Sequence, residues 1–371
     1  PLLRLAFVGN EALLSYVRER MKGASPRGGD VDAFLDGIEF WRPDPPPVLP
    51  WNPSADHRPA HAVLLLGSAC NLRCVYCYAN AGQGERRRMS PELARAVIDA
   101  AHANARARNA DGFWLTLHGG GEPTQDWDTL SAAILHARAS ALPCAITLVS
   151  NGLWSDSQRA LLLANVDSVC ISFDGVRAMQ DAQRPRPDGT GSFDAVMHTL
   201  RTLDDSGMPY GIRLTATPPW FGTLAESISF LCAETGCPTI QVEPSYEMRG
   251  GAHGEPDEAE GEAFVRAFVD AFEIGCRAGR EVYYSGAQLY TLTASFCHAL
   301  AEALIVTPDG DIVTCFEAHG RASAILSRYA VGHASAAGIE IDRRALLAFS
   351  ESERRRRAAC VGCFCYRHCA G

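Results

Sequence analysis

The sequence predicts an α/β fold built on a parallel sheet. Six apolar, β-rich runs occupy residues 61–67, 113–119, 144–152, 166–175, 210–218 and 239–244. Stretches of helical pattern separate these runs, and strands that alternate with helices form parallel sheets. Because the runs are apolar almost throughout, we expect helices to cover the outside of the sheet and the sheet to curve. The prediction is a partial (β/α)6, TIM-like barrel.

Two helices of the barrel have clear start signals. Ser90 precedes Pro91 and Glu92, which predicts a helix with Ser90 as its N-cap and Pro91 as its first residue. Another helix is predicted to begin near Ser192. In barrels of this kind the carboxyl ends of the strands carry the chemistry, so the polar residues at those ends are the functional candidates.

Three further segments flank the predicted barrel, which spans residues 61–247. Residues 1–60 contain a predicted short helix at 10–22 and a proline-rich run that excludes regular helix, so they form an unassigned lead-in. A glycine-rich, acidic stretch begins at residue 248, and we interpret residues 248–276 as a linker and a connecting helix. Residues 277–371 are predicted to form a small, cysteine-rich α+β domain.

The composition argues against nucleic-acid and membrane partners. With 371 residues, of which 47% are apolar, the chain can bury a sizeable core, and its net charge of −9 offers no basic surface for nucleic acid or anionic lipid. No apolar stretch is long enough to span a bilayer. We therefore expect a cytoplasmic protein with no nucleic-acid or membrane partner. The 14 cysteines cluster in metal-ligand spacings, which favours reduced thiolates over disulfides.

Cys70, Cys74 and Cys77 follow the first apolar run with a C-x3-C-x2-C spacing. Three thiolates on one short loop can hold three irons of a four-iron cubane and leave the fourth iron without a protein ligand. Structural zinc sites prefer two C-x2-C pairs or mixtures of cysteine and histidine, and no second half of such a site lies nearby in the sequence.

This cysteine motif resembles that of the radical S-adenosylmethionine (radical SAM) enzymes. The resemblance implies a 4Fe-4S cluster on the three cysteines, S-adenosylmethionine at the open iron, and Tyr78 near the adenine. It also implies that the glycine-rich run after the second strand contacts the methionine amino group, through Gly119, Gly120, Gly121 and Glu122. Glu122 either holds the ammonium group or braces the loop.

The ends of the third and fourth strands supply the other cofactor-binding candidates. The resemblance implies that Ser150 and Asn151 contact the ribose hydroxyls. It implies that the methionine carboxylate lies near Ser172, Asp174 and Arg184, because a guanidinium can bind a carboxylate through two bonds. The alternatives are a turn-forming Asp-Gly pair for Asp174 and a surface loop position for Arg184.

Polar residues inside the later strands point to the barrel interior. Arg213 and Thr215 lie in the fifth apolar run, and Glu243 lies in the sixth. Buried charge needs a partner, so Arg213 and Glu243 either pair with each other or bind substrate.

The C-terminal cysteines resemble the SPASM extension of radical SAM peptide maturases. Twelve residues separate Cys297 from Gly310, and four separate Gly310 from Cys315. The resemblance implies one auxiliary 4Fe-4S cluster on Cys297 and Cys315 and a second on the C-x2-C-x5-C set, hence one or two auxiliary clusters. That second set is Cys360, Cys363 and Cys369.

Three details of this region stay open. The chain stops two residues before the next expected ligand, so we expect the C-terminal end of this domain to be missing. Cys365 is an extra thiol that is either a substitute ligand, a reactive thiol or an inert residue. Cys276 is a weak candidate for a further auxiliary ligand.

The resemblance predicts an oxidoreductase that uses the 5′-deoxyadenosyl radical to abstract hydrogen from a ribosomally synthesised precursor peptide with a leader. The product would be an intramolecular crosslink, either a thioether, a C–C or a C–O bond. Glu317 is a candidate proton acceptor, or else a surface salt-bridge residue. Flavodoxin or ferredoxin would supply electrons. The alternatives are a radical dehydrogenase of a small alcohol, a sulfatase-maturating type of enzyme, and a non-catalytic zinc or iron-sulfur protein.

Overall fold

The computed structural model describes residues 10–23, 29–41, 57–246, 256–287, 297, 303–321, 323–363 and 366–369. The chain divides into two compact units. The larger comprises Asn52–Ser285 and Cys297–Glu351, and the smaller comprises Pro1–Trp51, Gly286–Phe296 and Ser352–Gly371. The boundary predicted at residue 247 lies outside the described residues, and the predicted domain limits stay predictions.

The sheet of the larger unit begins with strands that pair in chain order. The first six, all parallel, are β1 (His61–Leu65), β2 (Phe113–His118), β3 (Cys144–Ser150), β4 (Ser168–Ser172), β5 (Tyr210–Ala216) and β6 (Thr239–Pro244). A seventh parallel strand, β7 (Glu281–Tyr283), pairs with β6. The predicted parallel α/β sheet is confirmed, with each strand ending inside the apolar run that predicted it.

Four C-terminal strands continue the same sheet from its other side. β8 (Ala303–Val306) runs parallel to β1, and the sheet then continues antiparallel through β9 (Asp311–Val313), β10 (Ala330–Ser335) and β11 (Gly338–Ile341). The described strands therefore have the order β11-β10-β9-β8-β1-β2-β3-β4-β5-β6-β7. Sequence analysis did not foresee that β8 joins the cysteine-bearing C-terminal region to the barrel sheet.

The described helices are α1 (Glu11–Met21), α2 (Asp30–Gly37), α3 (Pro91–Ala107), α4 (Trp127–Arg138), α5 (Asp156–Asn165), α6 (Arg177–Gln183), α7 (Phe193–Ser206), α8 (Leu224–Glu234), α9 (Glu258–Arg277), α10 (Leu326–Tyr329), α11 (Arg343–Ala358) and α12 (Tyr366–Cys369). The predicted start of α3 is confirmed, because the Ser90 side chain accepts a hydrogen bond from the Leu93 amide and Pro91 is the first helical residue. None of the described helices is long and apolar enough to cross a membrane.

The two faces of the sheet differ in chemistry because successive strand residues point to opposite sides. The outer face is apolar and buried, with α3 in contact with β1 and β2; it includes Leu64, Leu115, Ile146, Ile171 and Leu214. The opposite, inner face is more polar and less buried, and the strand registers align on it Thr116, His118, Thr147, Cys170, Arg213 and Gln241.

One part of the inner face is apolar. Val63 and Leu65 of β1 pack there with Ile305, Val313 and Ala318, and Cys315 and Phe316 lie against this cluster. Because Cys315 and Phe316 pack against this cluster, the segment after β9 lies beside the strand ends that carry the candidate residues of the barrel.

Candidate functional site

The loop after β1 carries Cys70, Cys74 and Cys77 as free, partly buried thiols. The backbone amide of Leu72 lies 3.4 Å from the Cys70 sulfur, and the amide of Ala81 lies 3.3 Å from the Cys77 sulfur. Amide donors of this kind favour the thiolate form, which is the form that binds metal.

Arg73 holds the cysteine loop in shape from within. Its guanidinium donates to the carbonyl oxygens of Cys70 at 3.0 Å, Leu72 at 2.8 Å and Gly82 at 2.9 Å. The loop is also tied to the segment that ends α6, because the Arg73 amide donates to the Pro185 carbonyl at 2.7 Å. This role of Arg73 was not predicted. The available signal was that Arg73 is the one charged residue between the first and third cysteines.

Burial, together with the nearby Glu122 charge, raises the pKa of Cys70 to about 12. Burial also raises the pKa of Cys74 to about 11, although Arg184 acts in the opposite direction. Such thiols stay protonated in water at neutral pH, and a metal cation that binds their sulfur atoms displaces the protons into the solvent. Metal binding at this loop is therefore coupled to proton release.

The donor set fits an iron-sulfur cluster better than a single zinc ion. Among the described residues, no three His, Cys, Asp or Glu side chains converge closely enough to hold one metal ion. A zinc site needs four ligands at about 2.0–2.3 Å from one ion. In a cubane each thiolate binds a different iron, so three thiols spread along one loop suit it.

The glycine-rich run after β2 lies directly against the cysteine loop. The Gly121 amide donates to the Gly67 carbonyl at 2.9 Å, and the Glu122 amide donates to the Ala69 carbonyl at 2.8 Å. A Cβ atom on Gly121 would come within 2.2 Å of the Ala69 carbonyl oxygen, which no side chain tolerates. The absence of a side chain at residue 121 is what lets these two loops meet.

Glu122 braces the ends of β2 and β3, and this was one of its two predicted roles. It is 4% exposed and accepts hydrogen bonds from the Ser150 hydroxyl and the Asn151 amide, both at 2.8 Å. The Thr124 hydroxyl donates to the same carboxylate at 2.8 Å. Burial raises the pKa of Glu122, while these donors oppose that shift. An ammonium contact for Glu122 stays a prediction.

Ser150 and Asn151 connect β3 to both loops. The Ser150 oxygen also accepts from the Trp154 indole nitrogen at 2.8 Å. The Asn151 amide group donates to the Asn71 side chain at 2.7 Å and lies 4.0 Å from the Cys70 sulfur. The structure thus places Asn151 beside the cysteine loop, and Asn71 is a partner that the sequence analysis did not single out.

Asp174 is fully buried and collects several protein partners. One carboxylate oxygen accepts from the Tyr76 hydroxyl at 2.7 Å and from the Gln183 amide at 2.9 Å, and Arg184 Nε lies 3.0 Å from it. The other oxygen accepts from the Thr215 amide at 3.0 Å. Asp174 is therefore more than a turn residue.

Arg184 is 6% exposed, so the alternative of a surface loop position is wrong. Its guanidinium lies 5.2 Å from the centre of the Tyr76 ring and pairs with Asp174. Ser172 lies on the inner face at the end of β4, beside Arg213 of β5. The contacts predicted for Ser172, Asp174 and Arg184 with the methionine carboxylate stay predictions.

Residues after β9 lie close to the cysteine loop and to the end of β2. The rings of Tyr78 and His319 have their centres 5.8 Å apart, and those of His118 and Phe316 are 5.3 Å apart. A Cβ on Gly120 would lie 3.0 Å from the His319 side chain. Tyr78, Gly119 and Gly120 are thus brought to one place together with the segment that carries Cys315.

His118 is neutral at physiological pH. Its Nδ1 accepts a hydrogen bond from the Gly119 amide at 2.8 Å, so the neutral ring carries its proton on Nε2. Burial, with a smaller contribution from the Arg213 charge, lowers the pKa of His118 to about 4.

Cys315 and Glu317 lie near the same strand ends. Burial raises the pKa of the partly buried Cys315, and the charges of Glu317 and Cys297 raise it further. Burial has the largest effect on the pKa of Tyr78 and raises it. The Arg213 charge lowers this pKa, and the charges of Cys77 and Glu317 raise it. The metal-ligand role of Cys297 and Cys315 and the proton-acceptor role of Glu317 stay predictions.

The remaining cysteines of the predicted auxiliary site belong to the smaller unit. The Cys363 amide donates to the Cys360 carbonyl at 2.9 Å, which forms a turn, and Cys369 is the last residue of α12. Cys365 lies outside the described residues. Cys276 is an exposed residue in the last turn of α9.

Residues 64–220 match the family model of the radical SAM superfamily. Fe-coproporphyrin III synthase of Methanosarcina barkeri is 31% identical over 175 residues, which are 46% of this chain and 37% of that protein. The sporulation killing factor maturation protein SkfB of Bacillus subtilis is 33% identical over 162 residues, 42% of this chain and 36% of SkfB. The chain thus matches little more than a third of the length of these curated relatives.

Two solved structures show the same fold. One is native anSMEcpe with bound AdoMet and Cp18Cys peptide, with a TM-score of 0.60 at 18% identity over 84% of this chain and 88% of that one. The other is Streptococcus suis SuiB bound to precursor peptide SuiA, with a TM-score of 0.54 at 14% identity over 82% of this chain and 73% of SuiB.

The cysteine loop at the end of β1, the parallel sheet and the family match all indicate the same class of protein. The chain contains a radical SAM domain.

Proposed function

We propose that this protein is a radical SAM enzyme that modifies a residue of a ribosomally synthesised precursor peptide. The observation that carries the proposal is the loop of Cys70, Cys74 and Cys77, whose three free thiols are fixed by Arg73 and lie against Gly121. Three thiols in this arrangement suit a 4Fe-4S cluster with one open iron.

S-adenosylmethionine would bind between the cysteine loop and the ends of β2, β3 and β4. When bound, it and the reduced cluster supply the 5′-deoxyadenosyl radical that takes a hydrogen atom from the substrate. The chain's own residues form the surroundings. Gly121 keeps the glycine-rich loop against the cysteine loop, Glu122 fixes the ends of β2 and β3, and Asp174 holds Arg184. Their common effect is to orient the reactants and to fix their distance.

The C-terminal cysteines would hold auxiliary clusters. Cys297 and Cys315 would bind the first, and Cys360, Cys363 and Cys369 would bind the second, each together with further ligands. Clusters there would accept the electron left after a crosslink forms. A flavodoxin or ferredoxin in the cytoplasm would reduce the radical SAM cluster.

A peptide substrate is supported by the relatives and by the inner face of the sheet. SkfB is named as a maturation protein, and the two similar structures contain peptides. On the inner face, the Thr116 and Thr147 hydroxyls bond to His61 and Ser168, whereas Arg213 is exposed and offers hydrogen-bond donors to a substrate. The proposed product is a peptide with an intramolecular crosslink.

Co-expression tests the proposal. A short peptide encoded beside the gene would be produced with the enzyme in oxygen-poor cells and then weighed by mass spectrometry. We expect a product that is lighter by two hydrogen atoms, and an unmodified peptide when Cys70, Cys74 and Cys77 are replaced by alanine. An unmodified peptide with an enzyme that does cleave S-adenosylmethionine would reject the peptide substrate and leave the radical chemistry intact.

A further inference from the structure

The inner face of the barrel presents a positive charge that pairs with no carboxylate in the described part of the chain. Arg213 lies in the middle of β5, opposite Ser172 of β4 and Gln241 of β6. Its side chain is exposed although its neighbours on the other face of β5, Ile212 and Leu214, are buried. Among the described residues, Arg213 forms no ion pair.

The carboxylate of Glu243, on the neighbouring strand β6, is bonded to other groups. Glu243 accepts from the Ser285 hydroxyl at 2.9 Å and from the Ser285 amide at 3.2 Å. The Gln241 side chain donates to it at 2.6 Å, and Gln241 in turn accepts from the Tyr283 hydroxyl at 3.2 Å. The pair between Arg213 and Glu243 that the sequence allowed is therefore not formed.

Two other ionisable groups near these strand ends do not neutralise Arg213. His118 is neutral, and Asp174 already holds Arg184. The charge of Arg213 acts on Tyr78 at the cysteine loop, on His118 at the end of β2 and on Cys170 in β4. The guanidinium thus faces the space enclosed by these strand ends, where the proposed function places cofactor and substrate.

We propose that Arg213 binds a carboxylate on the inner face of the barrel. A guanidinium presents a planar set of donors that fits a carboxylate through two bonds, and a partner for it is missing from the described protein groups. That carboxylate is an acidic group of the substrate. The inference deepens the proposed function and rests on it for the presence of a substrate on this face.

Chemical modification of the cluster-loaded protein tests the inference without any turnover. Phenylglyoxal modifies accessible guanidinium groups, and peptide mass spectrometry reports the rate at Arg213. Two matched pairs of probes are used: S-adenosylmethionine against decarboxylated S-adenosylmethionine, and N-acetylglutamate methylamide against N-acetylglutamine methylamide. Arg266, which is exposed on α9 and pairs with Glu262, is the internal control.

We expect Arg213 to react, and N-acetylglutamate methylamide to slow its reaction several-fold more than N-acetylglutamine methylamide does, while Arg266 is unaffected. Equal rates within the amino-acid pair, or an unreactive Arg213, would overturn the inference. Selectivity within the nucleoside pair alone would also overturn it, because Arg213 would then bind the cofactor and not the substrate. A protein that shows selectivity within the amino-acid pair and yet never cleaves S-adenosylmethionine would reject the proposed function and keep the carboxylate site.

Discussion

Tyr76 donates its hydroxyl hydrogen to Asp174 over 2.7 Å and so joins the cysteine loop to the end of β4. Asp174 also pairs with Arg184, whose guanidinium lies near the Tyr76 ring. Tyr76 lies between the second and third cysteines of the motif. The position of the cysteine loop therefore depends on a buried ion pair between the residues that follow β4 and α6.

Replacing the two members of this contact should have unequal effects. Tyr76→Phe removes one hydrogen bond and should lower the free energy of unfolding by about 0.5–1.5 kcal/mol. Asp174→Ala leaves Arg184 as an uncompensated buried charge and should cost about 3–5 kcal/mol. Urea denaturation measures both, with Tyr283→Phe as the control, since its hydroxyl bond is longer, at 3.2 Å. Similar losses for Tyr76→Phe and Asp174→Ala would show that the ion pair is not the main contribution.

The contact between the glycine-rich loop and the cysteine loop makes a second prediction. Gly121→Ala would place a Cβ within 2.2 Å of the Ala69 carbonyl, so the cysteine loop must move. We expect this variant to lose iron from the radical SAM site while it keeps the fold. Gly261→Ala is the matched control, because a Cβ there meets nothing within 4 Å and the residue lies in helix α9. Iron content and the cluster absorption band measure the difference, and equal iron in both variants would contradict the role of Gly121.

The lowered pKa of His118 makes a third prediction. Nuclear magnetic resonance should find a pKa of about 4, and Arg213→Gln should raise it, because the positive charge of Arg213 disfavours the imidazolium. A folded-state pKa below the ordinary value means that the unfolded chain binds the proton more readily. The contribution of His118 to stability is therefore complete above about pH 6.5 and is lost as the pH falls toward 4.

His118→Gln should remove this dependence. As the pH falls from 7 to 4, the wild-type free energy of unfolding should drop by at most about 3 kcal/mol more than that of the variant, because one pKa unit corresponds to about 1.4 kcal/mol. A constant difference across this range would show that the ring titrates normally.

The number of clusters is a fourth prediction. Three four-iron cubanes would give about twelve irons per chain in a reconstituted full-length protein. About four irons would mean that the C-terminal cysteines hold no cluster, and the proposed electron acceptor would then be absent.

The strands and the cysteine loop could be predicted because their signals are local. An apolar run bounded by turns predicts a strand wherever it lies, and the spacing of Cys70, Cys74 and Cys77 lies within eight residues. Ser90 and Pro91 predicted the start of α3 for the same reason.

The contacts that hold the site together could not be predicted in this way. Tyr76 and Asp174 are 98 residues apart in sequence, and Arg87 pairs with Asp309 across 222 residues. No periodicity encodes such partners. The hydrogen bond from Ser285 to Glu243 is another example, because it engages the carboxylate that the sequence allowed as a partner of Arg213 and depends on the chain that follows β7. The parallel pairing of β8 with β1 was missed for the same reason.

Cleavage of S-adenosylmethionine by the anaerobically reconstituted and reduced protein tests the central claim most directly. Wild type should form 5′-deoxyadenosine. The variant in which Cys70, Cys74 and Cys77 are all alanine should form none, while it keeps the iron bound at the C-terminal cysteines. Formation of 5′-deoxyadenosine by the triple variant at the wild-type rate would contradict the assignment of these three thiols as the ligands of the radical SAM cluster.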